Sequence, residues 1–474
     1  MSVRKAAVAV TLLTALATVA SSAVGSLASA STDAAHLPAG PALARQLAEQ
    51  VNLYRMNDDL DALQRISNRN GGNREPGTSG DTQTDQYVTA QLQRAGFTVT
   101  KQSFQFNYFE RLAQNLTVNG AAVPINIIDY SPSTPVGGVT APIAVVPSTV
   151  SATPGCAIGD YANLGAAGKI VLVQRGGCTF AVKEQIAAQA GAAAEIIYNN
   201  VPGPLRAALS DPSQGYIPAG SVSQADGQTL AAESGTTVTL EVRSFQQVRT
   251  SHNLIAQTRT GNKNNVVLVN GNLDSIGGAG MNDNATGTAI MLQTALHLGA
   301  WPRVNNAVRF VFTSAQEYSF AGAAAYLASL SADQQKQIAL DLNVEMLASP
   351  NTGYFVLDGL PGAGSAAITQ AFYSYFKATG VPTEAAPLSG RWDYNAFAGA
   401  GIPTGGLFSG ADAMKTPAEA TLWGGTANEA FDPCYQIACD TLKNVNQTEF
   451  LRNARALEFA IGTYVTSTQS VNGK

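Results

Sequence analysis

The sequence contains few charged residues and very few histidines. Of its 474 residues, 28 are Lys or Arg and 33 are Asp or Glu, which gives a net charge of −5. This mild acidity argues against a nucleic-acid-binding protein, which would need a basic face, so we expect no nucleic-acid partner. Hydrophobic residues make up 45% of the chain, which allows a large core and excludes a disordered protein. Any site that needs imidazole must be built from His36, His252 and His297.

Long hydrophobic runs are also missing, apart from one short run at the start. Arg4 and Lys5 precede an uncharged, mostly apolar stretch at 6–20, and Ala28-Ser29-Ala30 resembles a signal-peptidase site. We interpret residues 1–30 as an export signal that is cleaved near Ala30. The alternative is a retained membrane anchor, but the run is short and rich in alanine. The sequence therefore predicts a secreted protein that does not contact the membrane after cleavage.

The four cysteines are compatible with disulfide bonds, because export leads to an oxidising compartment. Three pairings are possible, and the local one joins Cys156 to Cys178 and Cys434 to Cys439, closing a short loop in each of two segments. We expect the local pairing. A zinc cluster is the alternative, but the spacing contains no Cys-x-x-Cys and no histidine lies nearby.

The pattern along the chain predicts three parts after the leader. Residues 31–117 form an N-terminal segment of the main domain, residues 118–243 a small β-rich insertion, and residues 244–474 the main α/β domain. Alternating strands and helices in the last part are typical of a sheet with helices on both faces. The predicted strands are 97–106, 266–269, 307–313, 342–347, 354–358 and 405–408, and the predicted helices are 41–55, 81–95, 180–190, 288–298, 321–330 and 447–465.

Polar motifs follow several of these strands, at the ends where open α/β sheets place their sites. They are NLDS at 272–275, GAGMNDN at 278–284, SAQE at 314–317, NVEM at 343–346, GRWDY at 390–394 and CYQIAC at 434–439. Further short motifs are GGNR at 71–74, GKIVLVQRGGCTF at 168–180 and WGGT at 423–426.

With these motifs the chain resembles the secreted bacterial leucine aminopeptidases of the aminopeptidase Y type, which are co-catalytic dizinc exopeptidases. The resemblance covers nearly all of the chain after the leader. It implies a three-layer α/β/α mixed sheet, and the motif at 168–180 resembles the signature of an inserted protease-associated (PA) domain. In this family two zinc ions share a bridging aspartate and a bridging water, each has one histidine and one further carboxylate ligand, and a free glutamate accepts the proton of the water.

Three carboxylates match the metal ligands of the family. Asp283 corresponds to the bridging aspartate, Glu317 to a second ligand, and Glu345 to an aspartate that is one methylene shorter. Asp274 corresponds to the carboxylate that orients a histidine ligand. An all-oxygen set of this kind suits calcium or magnesium better than zinc.

The remaining catalytic positions are substituted. Asn272 and Gln436 occupy the positions of the two histidine ligands, and Gln316 occupies that of the general base, where an amide is not basic. His36 lies in the N-terminal spacer, and His252 is expected to begin a strand far back in sequence from Asn272. His297 is expected late on a helix, as a packing or surface residue. We therefore expect that none replaces a lost ligand.

Residues that hold a substrate persist, by the same resemblance. Arg391 corresponds to an arginine that faces the substrate, and Tyr435 to the tyrosine that polarises the scissile carbonyl. Trp392 and Tyr394 add apolar bulk beside the site. The alternative is that Arg391 and Tyr435 remain only as packing or hydrogen-bonding residues.

The sequence therefore predicts a monomeric pseudopeptidase that binds peptide or protein N-termini without cleaving them. We expect no zinc, and either a calcium ion or carboxyls that share a proton. The alternative is a weakly active or altered-metal aminopeptidase.

Overall fold

The computed structural model describes residues 40–209, 212–386, 388 and 390–474. The predicted export signal, its cleavage site and His36 lie outside these residues. Within the described ranges, no helix is long and apolar enough to cross a membrane.

The described residues form a mixed α/β structure with a 14-stranded sheet. The helices are α1 (Ala42–Gln50), α2 (Leu53–Arg69), α3 (Ser79–Arg94), α4 (Phe180–Gln189), α5 (Gln224–Ala232), α6 (Thr286–Leu298), α7 (Ala321–Ala328), α8 (Ala332–Lys336), α9 (Ala363–Thr379), α10 (Tyr394–Gly399), α11 (Pro417–Trp423), α12 (Gln447–Tyr464) and α13 (Gln469–Asn472). The strands are β1 (Val99–Val118), β2 (Ala121–Val123), β3 (Asn126–Ile127), β4 (Val139–Val145), β5 (Ile170–Gln174), β6 (Ala194–Tyr198), β7 (Ala219–Val222), β8 (Thr237–Gln257), β9 (Asn262–Asn272), β10 (Asn306–Thr313), β11 (Ile338–Val344), β12 (Phe355–Leu357), β13 (Glu384–Ala386) and β14 (Thr404–Phe408).

The sheet has a larger and a smaller part, joined by β8. In the larger part the strand order is β13-β12-β14-β11-β9-β10-β8, and β10, β9, β11 and β14 run parallel to one another. In the smaller part β4, β5, β6 and β7 are parallel, and β3 closes the edge antiparallel to β7. One edge of β8 pairs with β1. The other edge pairs with β4 near the start of β8 and with β10 near the end of β8. The inserted domain is therefore continuous with the main sheet.

Each part has its own hydrophobic core. The larger core lies between the main sheet and helices such as α6 and α12, and the smaller one lies around β5, β6 and α4 in the insertion. Both predicted disulfides are confirmed: Cys156 is bonded to Cys178, and Cys434 to Cys439.

Local hydrogen bonding explains where the helix prediction was wrong. The predicted helix 41–55 is two helices, because the Asn52 side chain accepts from the backbone N–H of Tyr54 and Arg55 and so caps α2. The insertion contains a second helix, α5, which Ser223 caps through the N–H of Asp226. His252 lies well inside β8 instead of beginning a strand.

His297, near the end of α6, has a structural partner instead of a metal. Its Nδ1 lies 3.0 Å from the carboxyl oxygens of Glu458 on α12, and Glu458 is almost completely buried. Burial lowers the pKa of His297, but the hydrogen bond and charge of Glu458 outweigh it, so the pKa lies above the usual 6.5.

The raised pKa of His297 predicts a pH-dependent contribution to stability. The contribution is fully present below pH 6.5 and is lost as the pH rises through the folded-state pKa. His297→Gln should therefore lower the free energy of unfolding by about 1–2 kcal/mol at pH 6 and by clearly less at pH 9. Urea denaturation of both proteins at the two pH values measures this, and an equal loss at both would contradict the charged pair.

Candidate functional site

Most of the polar motifs meet at one edge of the main sheet. Asn272 is the last residue of β9, and Glu317 and Glu345 follow the ends of β10 and β11. These three strands are adjacent and parallel, so their carboxyl ends lie together. The loops after the strands contain non-glycine residues in the left-handed region, with φ of 56° at Ala315 and 43° at Met346. Such conformations cluster at functional sites.

The loop that carries Asp283 is fixed by hydrogen bonds to two other segments. Asp440 accepts hydrogen bonds from the backbone N–H of Asn282 (2.9 Å) and of Asp283 (3.0 Å). Asn284 donates to the carbonyl of Val344 (2.9 Å) and accepts from the N–H of Met346 (3.0 Å). Asp283 is thereby held next to the loop that follows β11.

The three retained carboxyl groups contact one another. The Asp283 carboxyl is close enough to Glu317 and to Glu345 to affect the pKa of both. Burial raises the pKa of all three groups, to about 7 for Glu317, and neighbouring acids raise those of Asp283 and Glu345 further. Without a bound cation, buried carboxyl groups this close to one another favour uptake of a proton.

Asn272 is engaged within the protein. Its side-chain oxygen accepts a hydrogen bond from Asn284 at 2.8 Å. Asp274, which by resemblance would orient an imidazole at position 272, is completely buried. One of its oxygens lies 3.4 Å from the backbone N of Gln316, and the other has no hydrogen-bond partner among the described residues. The carboxyl group of Asp274 could accept a hydrogen bond from an imidazole at position 272, but position 272 is an asparagine.

Gln436 presents a donor to the carboxyl cluster. Its Nε2 donates to Oε2 of Glu317 at 2.6 Å and to the Tyr435 hydroxyl at 2.9 Å. The backbone of Gln436 has φ 56°, and the Cys434–Cys439 disulfide encloses this turn. Burial and the charges of Glu317 and Asp283 raise the pKa of Tyr435 well above 10, so its hydroxyl is neutral.

Gln316 and Arg391 are connected to each other. Gln316 Nε2 donates to the backbone carbonyl of Arg391 at 2.6 Å. The Arg391 guanidinium makes two hydrogen bonds to Asp412, the shorter 2.7 Å, and lies 5.7 Å from the centre of the Tyr435 ring. Arg391 therefore borders the site, but Asp412 already neutralises its charge.

The aromatic residues beside the site are buried. Trp392 is 3% exposed and packs against Phe408, with ring centres 4.1 Å apart, and against Tyr394, at 5.7 Å. They form a wall behind Tyr435 that belongs to one small hydrophobic cluster.

Arg74 is a key residue that the sequence analysis did not select as part of the site. Its side chain is completely buried and donates to the carbonyl oxygens of Leu273, Ala279 (3.0 Å) and Gly280 (2.9 Å), all in the segment that leads to Asp283. Burial lowers the pKa of Arg74 to about 10, opposed by the charges of acids that include Asp274. The group remains a cation among the site carboxyls. A buried arginine in a polar, glycine-rich turn gives no periodic signal.

The donor set does not fit two zinc ions. Zinc in proteins binds imidazole, thiolate and carboxylate, and Asn272 and Gln436 supply only amides. Gln436 also directs an N–H at Glu317, where a metal would need a free oxygen lone pair. In the described part of the chain, no three His, Cys, Asp or Glu residues are grouped so that they could hold a metal ion.

Fold and site together define the class of zinc-exopeptidase-like proteins with an inserted domain. The model of peptidase family M28 matches residues 253–460, and that of the PA domain matches residues 139–230. The chain is 40% identical over 450 residues to the probable lipoprotein aminopeptidase LpqL of Mycobacterium tuberculosis, covering 92% of this chain and 89% of the relative. It is 40% identical over 414 residues to a probable leucine aminopeptidase 2 of Aspergillus fumigatus, covering 84% and 80%.

Solved structures agree on the fold. An aminopeptidase from Aneurinibacillus sp. strain AM-1 matches with a TM-score of 0.70 and 24% identity, covering 88% of this chain and 95% of the other. A zinc aminopeptidase from Bacillus subtilis matches with a TM-score of 0.60 and 22% identity, covering 88% and 97%. This chain belongs to the M28 aminopeptidase family and carries an inserted PA domain.

The contacts of Arg74 predict a large effect of its removal on stability. Arg74→Met should lower the free energy of unfolding by about 3–5 kcal/mol, because three carbonyls lose a buried guanidinium donor and the neighbouring acids lose its charge. Arg74→Lys keeps the charge without the fork of donors and should lose less. Chemical denaturation measures both.

Arg69→Met is the matched control, because Arg69 is exposed at the end of α2, and its effect should stay within about 0.5 kcal/mol. An equally small loss for Arg74→Met would contradict the role of Arg74.

Proposed function

We propose that this protein binds the N-terminal residue of peptides at the carboxyl cluster and does not hydrolyse them. The proposal rests on one observation, the amide at position 316 and its hydrogen bond to the backbone of Arg391. An amide at the position of the general base has no lone pair that takes up a proton near neutral pH, and its Nε2 already donates to the carbonyl of Arg391. Loss of a general base alone lowers rates by about 10²–10⁴-fold.

The groups that remain suit a positively charged amino terminus. Glu317 keeps some exposed surface beside the buried Asp283 and Glu345, and the neutral Tyr435 hydroxyl lies within 2.9 Å of Gln436. A ligand ammonium can donate to these carboxylates in place of shared protons, which relieves the repulsion among them. The binding step of an aminopeptidase thus has a chemical basis here without the hydrolytic step.

A specific observation supports a second candidate, an altered-metal and weakly active aminopeptidase. Besides the free oxygen of Asp274, Oε2 of the buried Glu345 has no hydrogen-bond partner among the residues that the structure describes. Together with Asp283 and Glu317 these oxygens are donors that calcium or magnesium prefers over zinc. This candidate requires the carboxyl groups to lose their shared protons. No three of these acids are grouped around a common point as they stand, so this candidate also requires the side chains to move together on binding the ion.

The proposal also covers location and partners. The apparent export signal and the two disulfides support a secreted protein. We propose that it acts as a monomer on peptide or protein N-termini outside the cell, with no nucleic acid and no membrane as partner. The relative in Mycobacterium tuberculosis is named a lipoprotein, which makes a lipid anchor the alternative to free secretion.

Calorimetry with leucyl-glycyl-glycine, followed by recovery of the peptide, tests the proposal. The peptide should bind and be recovered intact. Glu317→Gln should weaken binding by about tenfold or more, since it removes a charged acceptor of the ammonium. Glu384→Gln makes the same chemical change on the exposed β13 and should have no effect.

Two outcomes would contradict the proposal. Absence of binding at millimolar peptide excludes a peptide-binding site. Release of free leucine that depends on added calcium or magnesium supports the altered-metal candidate instead.

A further inference from the structure

One arginine of the PA domain reaches the site. Arg206 lies in the loop between β6 and β7, is exposed, and donates from Nη1 to Oε1 of Gln436 at 3.4 Å. It is therefore in contact with a residue of the site that belongs to the other part of the chain.

The backbone around Arg206 is fixed. Leu205 and Leu209 on either side are buried at 3% and 1% exposure. Asp129 forms backbone hydrogen bonds with Ala207 and Leu209 at 2.9 Å, and the side chain of Ser221 donates to the carbonyl of Leu205 at 2.7 Å. The loop thus presents Arg206 to the site from an anchored position.

Arg206 adds an exposed positive charge beside the site. Arg111 is paired with Asp129, and Arg391 with Asp412, each at 2.7 Å. The charge of Arg206 acts on both of these acids, but no carboxylate of the described residues lies within ion-pair distance of it. Its guanidinium makes one long hydrogen bond to a neutral amide, so most of its donors remain available for a ligand.

The side-chain amide of Gln436 lies between the Arg206 cation and the Glu317 carboxyl group. Its nitrogen donates to Glu317 at 2.6 Å while its oxygen accepts from Arg206 at 3.4 Å. Glu317 and Arg206 are therefore at most about 8 Å apart across one amide group. An α-amino acid carries an ammonium and a carboxylate on one carbon, and with a charged hydrogen bond at each end it spans about the same distance.

We propose that Arg206 is the carboxylate-binding residue of this site and that the preferred ligand is a free α-amino acid. The ammonium of the ligand replaces the Gln436 nitrogen at Glu317, and its carboxylate replaces the Gln436 oxygen at Arg206. A longer peptide offers Arg206 only an uncharged carbonyl at the same place. This inference rests on the proposed function, because it uses the same ammonium site, and it adds the chemical class of the ligand.

A comparison of leucine with leucinamide separates carboxylate binding by Arg206 from ammonium binding at the carboxyl cluster, because the two ligands have the same size and differ in the charge of the carboxyl end. By calorimetry the wild-type protein should bind leucine about tenfold more tightly than leucinamide. Arg206→Gln should remove this preference and leave leucinamide binding unchanged, and Arg206→Lys should keep part of it. Arg175→Gln is the matched control, because Arg175 is an exposed PA-domain arginine that bonds to Asn199 of its own domain.

Equal affinities for leucine and leucinamide in the wild type, or a preference that survives in Arg206→Gln, would overturn the role of Arg206. If leucyl-glycyl-glycine still binds in that case, the proposed function stands and only this inference fails. If leucine, leucinamide and the peptide all fail to bind, both proposals fail.

Discussion

The burial of several carboxyl groups at one edge of a parallel sheet is the constraint on which the site depends. Asp274, Asp283 and Glu345 are almost completely withdrawn from water, and Glu317 lies against them. Desolvated carboxylates repel one another and must be neutralised by a metal, a cation or protons. Arg74 places a buried cation beside the cluster, and the Gln436 amide donates a hydrogen bond to Glu317. In the absence of a bound cation, burial favours uptake of protons by the remaining carboxyl groups.

These contacts explain how the acids stay buried although asparagine and glutamine stand at positions 272 and 436. A metal site that loses two imidazoles leaves uncompensated acids, which would destabilise the sheet edge. Asn272 and Gln436 each make hydrogen bonds inside the protein, and Asn284, Asp440 and the disulfide loop hold the surrounding backbone. The same bonds that stabilise the site place the Gln436 amide donor at Glu317, where a metal would need a free lone pair, and this supports the proposed loss of hydrolysis.

The fold class and the site motifs could be predicted from the sequence. The residues that link the site to distant segments, Arg74 and Arg206, could not. Strand and helix periodicity located the parallel strands β9, β10, β11 and β14 and the long helices α6 and α12, and the local cysteine spacing predicted both disulfides. Most strands of the insertion and the helix α9 were not predicted. Arg74 and Arg206 escaped detection because each acts across a large sequence separation from a segment without periodicity. The break before Asn52 was missed because a single capping side chain outweighs the helical pattern around it.

Zinc binding measured together with hydrolysis tests the central claim that this site no longer supports metal catalysis. Wild-type protein and the variant N272H/Q316E/Q436H are equilibrated with zinc, dialysed, analysed for metal and assayed with leucyl p-nitroanilide. The account predicts that the wild type retains no stoichiometric zinc and releases no nitroaniline, while the variant regains both properties. Two tightly held zinc ions in the wild type, with hydrolysis that a chelator abolishes, would contradict it.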